Sequence, residues 1–195
     1  MENIILASGS LKRQEFFKLM GLPFSVMPAD IDESIKNHAE GGLFTRELAE
    51  KKVKKVINDL KNSLPNWICA ADTVIVCDEK IIGKQNSREE AAKILRELAG
   101  KRHKVITSVA LYNGYNRKID SLTNCCTVSF ACMTDEEINW YLDTNEWQGA
   151  AGAYRIQGLA GCFIESVEGC PNTVAGLPLR GFYVMLRRNG YQFGA

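Results

Sequence analysis

Asp72 is the one charged residue in WICAADTVIVC, residues 67–77, where only Thr73 shares its polarity. A buried carboxylate is costly unless it is paired or protonated. Placing it at a strand end avoids that cost, because it then faces a cleft beside cations or a metal ion, where α/β sheets bind ligands. The competing reading is a turn aspartate bonded to its own backbone; the apolar flanks favour the site. A second pattern is ILASGSLKRQEFF, residues 5–17. An apolar run, a Ser8-Gly9-Ser10 turn and a helix start would aim free N–H groups at an anion. Lys12 and Arg13 fall in the first turn, where the helix end is already positive. A bound phosphate would turn that repulsion into attraction. A solvated basic face accounts for the same spacing equally well.

Three further groups carry less information alone. Lys52 stands one position before Val53 of an apolar helical stripe, and Lys84 follows the apolar pair of EKIIGK. Each is of a kind most often found at the surface. Glu33 lies with Asp30 and Asp32 in an acidic stretch that reads first as a solvated turn, although such oxygens suit Mg²⁺ or Mn²⁺ when a phosphate completes the shell. His103 opens a strand in GKRHKVITS; a lone histidine is poor evidence of catalysis, and both it and His38 can be structural. There is no Walker A loop, GxGxxG, zinc spacing or defensible Ser-His-Asp order.

The elements that must position these residues follow from periodicity. Strands are expected at residues 3–7, 24–27, 103–112, 117–131 and 162–167, and WICAADTVIVC reads as an apolar run broken by Asp72 and Thr73, with EKIIGK as the return strand of a hairpin. Helices are expected from Leu11 to Met20 and from Leu43 to Leu64, the latter with Thr45 as its cap. Ser87–Leu98 and Thr134–Leu142 each open on capping-box spacing, and a last helix runs from GLPL to about Arg188. NGYN reads as the turn of a hairpin. Helices alternating with strands and interrupted by hairpins imply an α/β fold with a mixed sheet.

The totals set outer bounds. The chain has 195 residues, 46% of them apolar, enough for one large domain or two lobes sharing a core. With 24 basic and 23 acidic residues the net charge is +1, which gives no reason to expect a nucleic acid polymer as partner. No apolar stretch approaches the ~20 residues of a membrane span, and MENIILASGS lacks the features of a signal peptide. Seven cysteines without a CxxC pair read as reduced core residues of a cytoplasmic protein.

Taken in order, five segments resemble the Maf family of nucleotide pyrophosphatases almost end to end. LASGSLKRQEFFKLMGLPF resembles the family's SxSPRRxELL opening, and LAEKKV its LAxxKA helix. ADTVIVCDEKIIGKQNSREEAAKIL is similar to ADTxVxxDGxILGKPxxxxEAxxML. LAGKRHKVITSVAL resembles LSGRxHxVxTGVxL, and AGAYRIQGLAGCFIESVEGCPNTVAGLPL resembles AGAYGIQGxGAxFIxxIxGxxxNVxGLPL. The resemblance implies a single domain over residues 1–195, of the Maf/ITPase-like kind: a mixed sheet flanked by helices, with two lobes around a central cleft. It also implies hydrolysis of a nucleoside triphosphate between the α and β phosphates with a divalent cation, Mg²⁺, Mn²⁺ or Co²⁺. By position, Asp72 corresponds to the family's general base, Ser8, Arg13, Lys52 and Lys84 to its phosphate-binding residues, and Glu33 to an acidic residue near the metal. Lys12, Thr73 and Gln157 fall where the dTTP/UTP branch sets its preference. A carboxamide at Gln157 can donate to one base-edge atom and accept from the next, as uracil and thymine require.

This chain departs from the pattern at Leu11, Lys12, Gln85, Ser108 and in NEWQGA, where Ala150 takes the place of a lysine. Lys12 for arginine loses a planar fork, so it bears most on base preference. The rival readings are a hydrolase of another base, such as a modified purine or CTP, and a nucleotide-binding regulator of cell division with incidental hydrolysis. A homodimer is left open.

Overall fold

The computed structural model describes residues 1–34, 40–61 and 64–194. His38 lies outside them, whereas Asp30, Asp32 and Glu33 are described. The short apolar strand β1 (Ile4–Leu6) pairs in parallel with β2 (Phe24–Val26) and with β3 (Trp67–Cys77). β3 pairs antiparallel with β5 (Arg102–Asn113), β5 with β6 (Lys118–Phe130), and β6 with β7 (Ile164–Glu168). Among the described residues the sheet has seven strands in the order β2-β1-β3-β5-β6-β7, with β4 (Lys80–Ile82) as a hairpin partner of β3. The mixed sheet expected from the sequence is therefore present.

One detail of the pairing creates the cleft. β5 occupies one edge of β3 from Trp67 to Val76. On the other edge β1 takes only Ile68 and Cys69, and β4 takes Ile75 to Cys77. Residues 70–74 are left with that edge open, at the point where β1 ends and the chain turns at Ser8-Gly9-Ser10. Asp72 is thus in the middle of an 11-residue strand and not at its end. The expectation of a strand terminus is corrected, and the opening comes from a gap between two neighbours.

Alternation along β3 sorts its side chains. Ile68, Ala70 and Val74 meet helix α2 (Gly41–Leu60), packing with Ala49, Val53, Phe44 and Leu48. Cys69 and Ala71 face α1 (Leu11–Leu19) and α6 (Leu179–Arg188), which follows the one-turn α5 (Pro171–Val174), and join Phe17, Phe182 and Leu186 in a core where each fully buried side chain contributes about 1.5–3 kcal/mol. Ile75 belongs to a further core with α3 (Arg88–Leu98) and α4 (Asp135–Asp143), built on Leu95, Leu98, Phe130, Tyr141 and Phe163. These cores form the two lobes.

Helix α2 begins two residues before the expected Leu43, and Thr45 is not its cap. The Thr45 hydroxyl donates to the carbonyls of Gly41 and Gly42 from within the first turns. A Cβ at Gly41 would lie 2.8 Å from a Val76 methyl, so this close approach of helix to sheet requires glycine. Of the expected tail, Asn62 and Ser63 lie outside the described residues. Thr134 and Glu137 form the full capping box at α4, whereas at α3 the Ser87 hydroxyl caps Glu90 N–H and the Glu90 carboxylate turns to the Asn86 N–H instead. The cysteines correct another expectation: all seven are free, but only Cys69, Cys77 and Cys126 are buried.

Candidate active site

A cleft of about 1430 Å³ runs between the lobes along the open edge of β3. Ser8, Lys12, Arg13, Glu33, Lys52, Asp72, Thr73, Lys84 and Gln157 all line it. Each is delivered by local structure. The turn after β1 supplies Ser8, and Ser10 caps α1 by accepting from the Arg13 N–H at 3.4 Å. Lys52 is four residues after Leu48, so helical spacing puts it on the buried stripe of α2. It is 4% exposed, in contrast to the surface lysine its type suggests.

Alternation places Asp72 on the α2 side of the sheet, where Lys52 meets it. The Lys52 Nζ lies 2.6 Å from Asp72 Oδ1 and 2.6 Å from Glu33 Oε1. Lys84, next to β4, reaches the other Glu33 oxygen at 2.9 Å. Two carboxylates and two ammonium groups therefore form one chain from the sheet to the cleft mouth. Burial pushes the Asp72 carboxyl up, and Lys52 and Arg13 oppose that push without overcoming it. Glu33 is only half-buried; burial raises its carboxyl, but Lys52 and Lys84 together outweigh this and hold it at about 2. It stays ionised at any ordinary pH.

Arg13 crosses the other face. Its Nε donates to the Gly176 carbonyl at 2.9 Å, Nη1 to Ser8 Oγ at 3.1 Å and Nη2 to Thr73 Oγ1 at 3.2 Å. The Thr107 hydroxyl donates to the Thr173 carbonyl at 2.7 Å, so it accepts from Thr73, 2.9 Å away. Thr73 consequently gives its proton to Thr107 and offers its lone pairs to Arg13. Gly176 has φ of 99°, so its backbone conformation calls for glycine.

The oxygens around Lys52 Nζ are the hard donors that Mg²⁺ or Mn²⁺ prefers. No group of three or more His, Cys, Asp or Glu side chains converges among the described residues. The protein thus offers Asp72 and Glu33, and a divalent ion would need phosphate and water to complete its shell. The residues fit a metal shared with a phosphate ligand.

The model of the family described as Maf-like protein matches residues 3–189. The chain belongs to the Maf family. Maf relatives cover it almost completely. It is 38% identical to the dTTP/UTP pyrophosphatase of Pelotomaculum thermopropionicum, with 98% of each chain covered. It is 39% identical to that of Fusobacterium nucleatum, over 97% of this chain and 96% of the other. The Desulforamulus reducens protein of the same name is 37% identical, over 98% and 99%.

Within this Maf cleft the expected residues divide into three sets. Asp72, Lys52, Glu33 and Lys84 are joined directly, and Ser8, Arg13 and Thr73 form a second linked set across the open edge. Lys12 and Gln157 stand apart. Lys12 turns to Glu15 at 2.8 Å and lies 5.1 Å from the Phe16 ring centroid, and Gln157 is an exposed rim residue. His103 is excluded from the Maf chemistry by burial: its Nε2 is 2.8 Å from the Tyr154 hydroxyl, and burial pushes the ring down to about 4. Sequence reasoning missed Thr107 and Gly176, which fix Arg13, and Arg155, which lines the cleft and ties down its rim by donating to the Glu146 and Gln148 carbonyls at 2.8 and 2.6 Å. The periodicity of β5 hides Thr107 among apolar neighbours. The one available signal was Gly176 between Ala175 and Leu177-Pro178, a turn with an obligatory glycine.

Proposed function

We propose that this cleft hydrolyses dTTP and UTP to the monophosphate and pyrophosphate, with Asp72 as general base. The observation that carries the reading is the Asp72–Lys52–Glu33–Lys84 chain, facing Arg13 across an open strand edge. The names of the Pelotomaculum, Fusobacterium and Desulforamulus relatives support the same activity.

The chemistry needs little covalent help from the protein; it needs positioned charge and a placed water. Asp72 takes a proton as the water oxygen bonds to the α-phosphorus, and the α–β bridging oxygen leaves with the bonding pair as part of pyrophosphate. Burial that raises its carboxyl also makes it a better proton acceptor. Arg13 has five N–H groups, of which the structure engages one on each nitrogen. The remaining N–H groups on Nη1 and Nη2 would bind phosphate oxygens, with the N-terminus of α1 beside them. Lys52 and Lys84 would neutralise the β and γ phosphates. Glu33 and Asp72 would hold a divalent cation, Mg²⁺, Mn²⁺ or Co²⁺, which supplies charge neutralisation at the phosphates. Gln157, at the rim, would read the carbonyl and adjacent N–H of uracil or thymine. Free thiols throughout suit a cytoplasmic setting.

The test is pyrophosphate release over a nucleotide panel, with each metal and with none. The expected outcome is turnover of UTP and dTTP roughly tenfold or more above purine triphosphates. Asp72→Asn should lower kcat by roughly 10²–10⁴-fold while nucleotide binding persists. Gln157→Ala should narrow the difference between UTP and CTP. Release from a modified purine alone, or binding without release, would replace this reading by one of its rivals.

A further inference from the structure

Lys52 is buried and bonded at the same short distance to both carboxylates available for a metal. Its ammonium therefore stands in the space a divalent cation would need between Asp72 and Glu33. Glu33 is balanced a second time by Lys84. The negative charge of this pair is already cancelled by lysine, and an incoming divalent ion meets an ammonium bonded to both carboxylates.

We propose that Lys52 is a resident counter-ion that keeps divalent metal out of the empty cleft, so that metal enters only together with the triphosphate. This rests on the functional reading above and specifies its order of events. A triphosphate in the cleft offers Lys52 a competing set of anionic oxygens. Its four-carbon stem lets the ammonium move to them without any shift of α2. The carboxylates are then released as a new negative charge arrives, so the cleft gains a cation only when there is phosphate for it to serve. Lys52 thus exchanges carboxylate partners for phosphate partners, and no covalent step is involved.

The experiment measures Mn²⁺ binding to the full chain without nucleotide, by the loss of the free-ion paramagnetic resonance signal and by calorimetry. Wild type should show no saturable site of one ion per chain in the range where Lys52→Met does. The variant's affinity is expected to exceed wild type by roughly tenfold or more. Lys52→Arg, which keeps a cation between the carboxylates, should behave as wild type. Adding Glu33→Gln to Lys52→Met should abolish the gain. Circular dichroism checks folding, and Mn²⁺ should raise the Tm of Lys52→Met more than that of wild type, because the ion replaces a missing charge. Should methionine at this buried position unfold the chain, Lys52→Gln, whose amide can donate to a carboxylate, takes its place. A stoichiometric Mn²⁺ site in nucleotide-free wild type overturns the proposal, as does a folded Met or Gln variant that binds Mn²⁺ no better than wild type. Failure of the functional reading is seen separately: no nucleotide releases pyrophosphate, whereas the lysine measurements involve no nucleotide at all.

Discussion

At the scale of single residues, the clearest division is between groups that reach a ligand and groups that hold those groups still. Arg13 does both. One guanidinium joins the Ser8 turn, the β3 edge and the Gly176 carbonyl, three segments that a single lysine ammonium cannot span with the same geometry. Arg13→Lys should therefore cost about 1–3 kcal/mol in urea denaturation and raise KM for nucleotide, even though charge is conserved. Retention of wild-type stability would show that the three contacts are dispensable. Lys12 and Arg13 crowd the same helix N-terminus, and each is accommodated differently. Arg13 is drawn away to the open edge of β3, and Lys12 lies along the helix against Glu15 and Phe16. Residue type alone could not separate them, because the Arg13 acceptors come from positions up to 163 residues away.

At the scale of elements, the register of β3 against β5 decides what lies beside Asp72. Its cross-strand partner is Ser108, one of the departures from the family pattern. Ser108 is fully buried and linked to Thr45 of α2 at 2.7 Å and Thr123 of β6 at 2.8 Å, a hydroxyl chain that fastens the helix to the sheet at the level of the carboxylate. Ser108→Ala would leave the Thr45 and Thr123 hydroxyls short of a partner and should destabilise the protein by about 1–3 kcal/mol, read by denaturant titration. Little change in the midpoint would mean that the two threonines repair the gap. The helices and strands themselves were legible, since their apolar spacing and caps are local. The position of Asp72 within its strand was not. The break in edge pairing depends on how far β1 and β4 extend along β3, which no local pattern encodes. Lys52 was misjudged for a related reason: its stripe on α2 was visible, but its counter-charges come from β3 and the Glu33 segment.

At the scale of the whole molecule, His103 ties stability to pH. Burial lowers its pKa from 6.5 to about 4, so between those values the unfolded chain binds a proton that the folded chain refuses. Stability should fall as pH drops through that window, by up to about 3 kcal/mol below it. His103→Gln should flatten this dependence; a slope equal to wild type would place its origin elsewhere. Gly176 and α6 follow nearly everything else in the chain, yet one supplies an acceptor for Arg13 and the other packs Phe182 and Leu186 against β1 and α1. During synthesis, residue 176 must leave the ribosome before that acceptor can meet an arginine made 163 positions earlier. A nascent chain therefore carries the charged side chains of its pocket well before the contact that fixes Arg13 can form.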